Sequence, residues 1–232
     1  MKLISVGGAR SIWLFDINDL NPRGKDVNSD LLDFLREAYF FDKVPSSPID
    51  LDPEKKSLKF ERGRFQVKEE IYVSVSLEIY NDGFVADSRS STRDTDAFVE
   101  DVLSLAAKEF SLTYDPSMIR TKMHVSELTV RMDSVLFNLH PKLVDFANTI
   151  SSMCGSEVPP FECSLLGFGT DLAISHLKPS NFVLDRKIGA PFSENRYYSR
   201  APVHTDQHQE LLVELEHILS SSQIPLGRIR GM

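Results

Sequence analysis

Ile71-Tyr72-Val73-Ser74-Val75-Ser76-Leu77-Glu78-Ile79-Tyr80-Asn81-Asp82-Gly83-Phe84-Val85-Ala86 is the stretch on which the fold turns. Apolar residues take every second position from Ile71 to Ile79, with Tyr72, Ser74, Ser76 and Glu78 between them. Successive side chains of a strand point to opposite faces, so this period of two predicts a strand with one buried face. Asn81-Asp82-Gly83 tolerates the positive φ of a tight turn, and Phe84, Val85 and Ala86 carry the chain back as the second strand of a hairpin.

Upstream, residues 3–6 and 11–16 read as strands joined by a turn at Gly7-Gly8. Within the second, Ile12-Trp13-Leu14-Phe15 is continuously apolar, the pattern of a strand covered on both faces. Leu58 and Phe60, then Phe65 and Val67, alternate on either side of a turn expected at Arg62-Gly63. A helix with the stripe Leu31, Phe34, Leu35 and Ala38 precedes them. Downstream, Asp94 or Thr95 is expected to cap a helix buried through Val99, Val102, Leu103, Ala106 and Phe110. Met123 and Val125 then fall out of phase with Leu128, Val130 and Met132, which predicts a bulge near Ser126-Glu127.

Pro141 opens a third helix, lined by Leu143, Phe146, Ala147, Ile150 and Met153 and stopped by Gly155. Strands are expected at 161–168 and 182–188. A last helix starts at Thr205 or Asp206 and buries Leu211, Leu212, Leu215, Ile218 and Leu219. Strands followed by a helix, four times over, predict an α+β fold: a mainly antiparallel sheet, in one piece or two, with about four helices packed largely on one face. Residues 1–232 read as a single α+β domain, and the Pro/Asp-rich loop 44–56 is the best subdomain boundary.

With 41% hydrophobic and 26% charged residues the chain belongs among globular proteins rather than disordered ones. A net charge of -8 opposes broad binding to nucleic acid, which depends on neutralising phosphates. The charge is uneven: 15 basic against 22 acidic residues up to Pro116 give -7, and 11 against 12 beyond it give -1. Nucleic acid is therefore expected only through a local patch. No apolar run nears the roughly 20 residues that span a bilayer, and the opening residues break at Gly7-Gly8 before a signal-peptide core forms. The expectation is a soluble cytoplasmic protein with no membrane partner. Cys154 and Cys163 match no zinc-ligand spacing and read as small buried hydrophobes.

Three constellations could carry chemistry. Asp16 ends an apolar strand, and Asp94 and Asp96 follow the main hairpin; carboxylates so placed can hold the metal of a nuclease. Capping a helix or starting a turn is the simpler role for the same residues. His204 and His208 are four apart, the spacing that puts a metal pair on one helical face, but the helix start at Thr205 or Asp206 leaves His204 outside it. No third ligand suggests itself by spacing, and no cofactor is expected. In Asn195-Arg196-Tyr197-Tyr198-Ser199-Arg200, the paired aromatics Tyr197 and Tyr198 flanked by Arg196 and Arg200 suit a binding hot spot or a clamp on single-stranded nucleic acid, with Arg89 and Arg93 as added cations. One ring buried along a strand or loop, with solvated arginines, is the simpler account of them.

No phosphate-cradling glycine loop and no Gly-x-Ser-x-Gly elbow occurs. The leading expectation is therefore a non-catalytic subunit acting through assembly with itself or a protein partner, compatible with an accessory role in a prokaryotic multi-protein system such as phage defence. The alternative is a metal-dependent hydrolase or nuclease built on the strand-end and helix-cap carboxylates. A small-ligand sensor with a pocket between sheet and helices is a third reading.

Overall fold

The structure is a computed structural model that describes residues 1–24, 28–46, 57–174 and 176–221. The chain gathers into two compact units. One comprises Val6–Ser126 with Pro202–Thr205; the other comprises Met1–Ser5, Glu127–Ala201 and the residues from Asp206 on. Most of the loop 44–56 lies outside the described residues.

In the first unit the turn expected at Gly7-Gly8 does not form. Strand β1 (Lys2–Leu14) passes straight through, because neither glycine takes a positive φ. Asp16 then caps the single turn of α1 (Ile17–Leu20), its carboxylate accepting the Asn18 N–H at 3.0 Å. Helix α2 (Asn28–Tyr39) follows. The turn expected at Arg62-Gly63 is also absent: β2 (Leu58–Lys68) is one strand, and Arg62, with φ of 60°, absorbs a register shift between Phe60 and Gly63 as a bulge. A Cβ on Gly63 would lie 2.4 Å from the Phe41 ring, so the ring packs over the strand only because glycine is there.

The main hairpin forms as its alternation predicts. β3 (Ile71–Tyr80) and β4 (Gly83–Ser88) pair antiparallel, with Leu77 opposite Ala86 and Tyr80 opposite Gly83. Asn81-Asp82 is left as a two-residue turn. β4 pairs in turn with β1, setting Phe84 opposite Trp13. The face shared by Trp13, Phe60, Val75, Leu77, Ile79, Phe84 and Ala86 is buried under Leu35 and Tyr39 of α2 and under Phe98, Val99, Val102 and Leu103 of helix α3 (Thr92–Phe110). Each fully buried side chain of that size contributes about 1.5–3 kcal/mol. The cap of α3 is Ser91 rather than Asp94 or Thr95, since the Ser91 hydroxyl accepts the Asp94 N–H at 3.2 Å. β5 (Thr121–Arg131) is unbroken, with Ser126, Leu128 and Val130 all buried. His124 and Ser126 stand at even spacings from Leu128 and Val130.

In the second unit, α4 (Pro141–Cys154) starts at the expected proline and ends at Gly155, whose φ is 83°. β6 (Leu165–Phe168) takes only the last half of the strand expected at 161–168, and β7 (Phe182–Arg186) pairs antiparallel with both β6 and β8 (Arg196–Ala201). Helix α5 (Thr205–Ser221) closes the described chain. The buried stripe expected for α4 is not buried: Ala147 is, but Phe146 is 64% exposed and Met153 81%. Cys154 is likewise exposed, so the expectation of two buried cysteines fails, and both thiols are free.

The eight strands hydrogen-bond in the order β2-β3-β4-β1-β5-β8-β7-β6. With four helices of 12 to 19 residues beside them, the fold is α+β with a mainly antiparallel sheet. No helix among the described residues is long and apolar enough to cross a membrane.

Candidate metal centre

Three segments of the first unit deliver Asp96, His124 and His204 to one place. Because α3 starts at Thr92, Asp96 sits in its second turn, too far in to cap it. The carboxylate turns instead toward β1 and β5. Oδ1 accepts the indole N–H of Trp13 at 2.8 Å, and both oxygens lie 3.0–3.1 Å from Nε2 of His124. Burial alone would raise the Asp96 carboxyl; hydrogen bonds from His124, Ser11 and Trp13 reverse that and hold it at about 2. An ionised carboxylate is thus kept on a half-buried wall at all ordinary pH.

His204 arrives from the residue preceding α5, 108 positions along the chain from Asp96. The fixing contact is local. Thr205, the first residue of α5, and Thr92, the first residue of α3, are both buried. Thr92 Oγ1 accepts the Thr205 N–H at 2.8 Å, and the Thr92 N–H returns a bond to Thr205 Oγ1 at 3.1 Å. Two helix starts are tied together by each other's side chains, satisfying donors that a helix leaves open. Thr92 Oγ1 also lies 3.2 Å from His204 Nδ1, and that nitrogen is 3.9 Å from Asp96 Oδ2. The His124 and His204 rings stack with centroids 3.7 Å apart and planes tilted 34°.

One ligand-capable atom from each of the three residues falls within 4.8 Å of the others. Bonds of about 2.0–2.2 Å from zinc to imidazole nitrogen or carboxylate oxygen set neighbouring donors about 3.3 Å apart in a tetrahedron. The 3.0 Å and 3.9 Å separations bracket that value. Side-chain exposures of 11% for His124, 17% for His204 and 21% for Asp96 leave the site supported from behind and reachable from solvent. Two imidazoles with one carboxylate suit a first-row transition ion; magnesium favours oxygen ligands alone.

The remaining sequence candidates lie elsewhere. Asp16 caps α1, and Asp94 stands in the first turn of α3 beside its positive end. His208 is fully buried in the second unit, bonded to the Ser199 hydroxyl at 2.8 Å and lowered to about 4 by burial, and it is not part of the cluster. Arg89 and Arg93 are exposed in the first unit. Arg196, Tyr197, Tyr198 and Arg200 lie along β8 in the second. Tyr197 is fully buried, with the Arg186 guanidinium stacked 4.7 Å from its ring, while burial and Glu127 push Tyr198 up to about 12. Arg196 pairs with Glu194 at 3.2 Å.

His124 is the functional residue that sequence spacing misses. Its signal is the polar residue in the register of Leu128 and Val130, at the position where β5 seems to change phase.

No protein-family model matches the chain, and no curated protein matches it. Among solved structures it is similar to Methanococcus jannaschii TBP, at 14% identity and a TM-score of 0.42 over 95% of this chain and 98% of that one. So low a likeness carries no argument about this chain.

Proposed function

We propose that the chain is a metal-dependent hydrolase that binds one divalent transition ion through Asp96, His124 and His204. The observation behind this reading is the convergence of two imidazoles and a carboxylate, none of them fully buried. Three protein ligands, one fewer than the four of a structural zinc site, is the pattern of catalytic zinc. A bound ion supplies Lewis acidity and a water acidic enough to attack near neutral pH. The residues do the rest. Trp13 holds Oδ1 of Asp96, and the bond from the Thr205 N–H to Thr92 holds the backbone beside His204. Activity against a panel of esters is expected to vanish with chelator and return with zinc, and His124→Gln is expected to abolish it. Activity indifferent to chelator would overturn the proposal.

A second reading, assembly with itself or a protein partner, is favoured by a different observation. In the second unit Phe146, Met153, Phe168, Ile174 and Ile188 are each more than 60% exposed. Light scattering is expected to give a mass above 26.2 kDa, falling to the monomer value in Phe146→Glu/Met153→Glu. A strictly monomeric wild-type protein with no co-purifying partner would contradict it.

A further inference from the structure

Lys122 stands two residues before His124 on β5, so its side chain leaves the strand from the same face. Its ammonium lies 3.3 Å from the centroid of the Trp13 ring, the same indole whose N–H donates to Asp96. One buried tryptophan thus touches an exposed cation with its ring face and the metal-ligand carboxylate with its N–H edge. Among the described residues Lys122 has no carboxylate partner. Three other cations of this unit are paired with carboxylates, Arg10 with Asp87 at 2.8 Å, Lys43 with Glu61 at 2.7 Å and Lys59 with Glu78 at 2.9 Å. In a chain of net charge -8, an ammonium held in place and left unneutralised beside a metal site stands ready for an anion.

We propose that the substrate of this site is a phosphate ester, with Lys122 binding a non-bridging phosphoryl oxygen. The inference rests on the metal reading of Asp96, His124 and His204. A neutral carboxylic ester brings one carbonyl oxygen to polarise, and a single ion suffices for it. A phosphoryl group brings two or three charged oxygens already in the ground state, and the transition state spreads charge over all of them. A metal and an ammonium side by side match that distribution. In the reaction water forms a new P–O bond and the bond to the leaving alcohol oxygen breaks. The two protons of the water divide between the phosphate product and the alcohol, so no further reactant is needed.

The test uses zinc-loaded full-length protein, inorganic phosphate as the probe, and p-nitrophenyl phosphate against p-nitrophenyl acetate as substrates. Lys122→Met is expected to keep one zinc per chain while weakening phosphate binding about tenfold or more, with Lys122→Arg restoring most of it. Hydrolysis of the phosphate ester is expected to fall with the same pattern. Zinc bound in both proteins with equal phosphate affinity would overturn the role of Lys122, as would turnover of the acetate without the phosphate. A wild-type protein that takes up no zinc would overturn the underlying metal reading, and this inference with it.

Discussion

Thr92 and Thr205 cap one another: each backbone N–H is bonded to the other's hydroxyl, at 2.8 and 3.1 Å, at the first residues of two long helices. This contact carries His204 to Asp96 across 108 positions of sequence. His204 is thus brought to the site by backbone donors and buried hydroxyls.

Thr92→Val keeps the shape of that side chain and removes its hydroxyl, leaving the Thr205 N–H buried without its partner. Stability is expected to fall by about 1–3 kcal/mol in urea unfolding. Zinc affinity is expected to fall too, since the Thr205 N–H to Thr92 bond that places the backbone beside His204 is lost. Unchanged zinc affinity in this variant would show that His204 is placed by something else.

Trp13→Phe separates the two duties of the indole. The ring remains as packing, but Asp96 Oδ1 loses its N–H donor. Partners of this kind to a ligating group are typically worth 10–100-fold in metal affinity. A loss of about tenfold or more by competition with a chromogenic chelator is expected.

Gly83→Ala tests the hairpin on which the fold turns. Gly83 has a φ of 149°, and a Cβ there would lie 2.0 Å from the carbonyl oxygen of Trp13, a backbone atom that cannot swing aside. Destabilisation well beyond about 1 kcal/mol is expected. Gly63→Ala, by contrast, meets the ring of Phe41, whose movement softens the clash at the expense of packing.

His208 gives the second unit a pH dependence. Burial lowers it to about 4 from its ordinary 6.5, so between those values the unfolded chain binds a proton that the folded chain refuses. Stability is therefore complete above about pH 6.5 and declines as the pH falls toward 4, by up to about 3 kcal/mol. His208→Gln is expected to flatten that slope between pH 4 and 6.5.

The hairpin was legible because its alternation is unbroken and Asn81-Asp82-Gly83 follows it directly. Gly7-Gly8 and Arg62-Gly63 misled for the opposite reason. Glycine permits a turn without requiring one, and here β1 pairs with β4 and β2 with β3 along lengths that include them. For the site, Asp96 and His204 were visible as separate fragments of two different ideas. Their union depends on a threonine pair and on β5, contacts between residues far apart in sequence that no local pattern encodes. His124 was hidden because a histidine in a buried register looks like a break in the hydrophobic phase. The α4 stripe shows the converse limit: a helical period marks an apolar face, not what covers it.

Titration of zinc into metal-free protein, followed by calorimetry and by metal analysis after dialysis, tests the central claim most directly. One equivalent per chain is expected for the wild type, and none retained in Asp96→Asn, His124→Gln or His204→Gln variants that keep the wild-type fold by circular dichroism. Failure of the wild-type protein to bind zinc, or retention of a full equivalent in those variants, would contradict it.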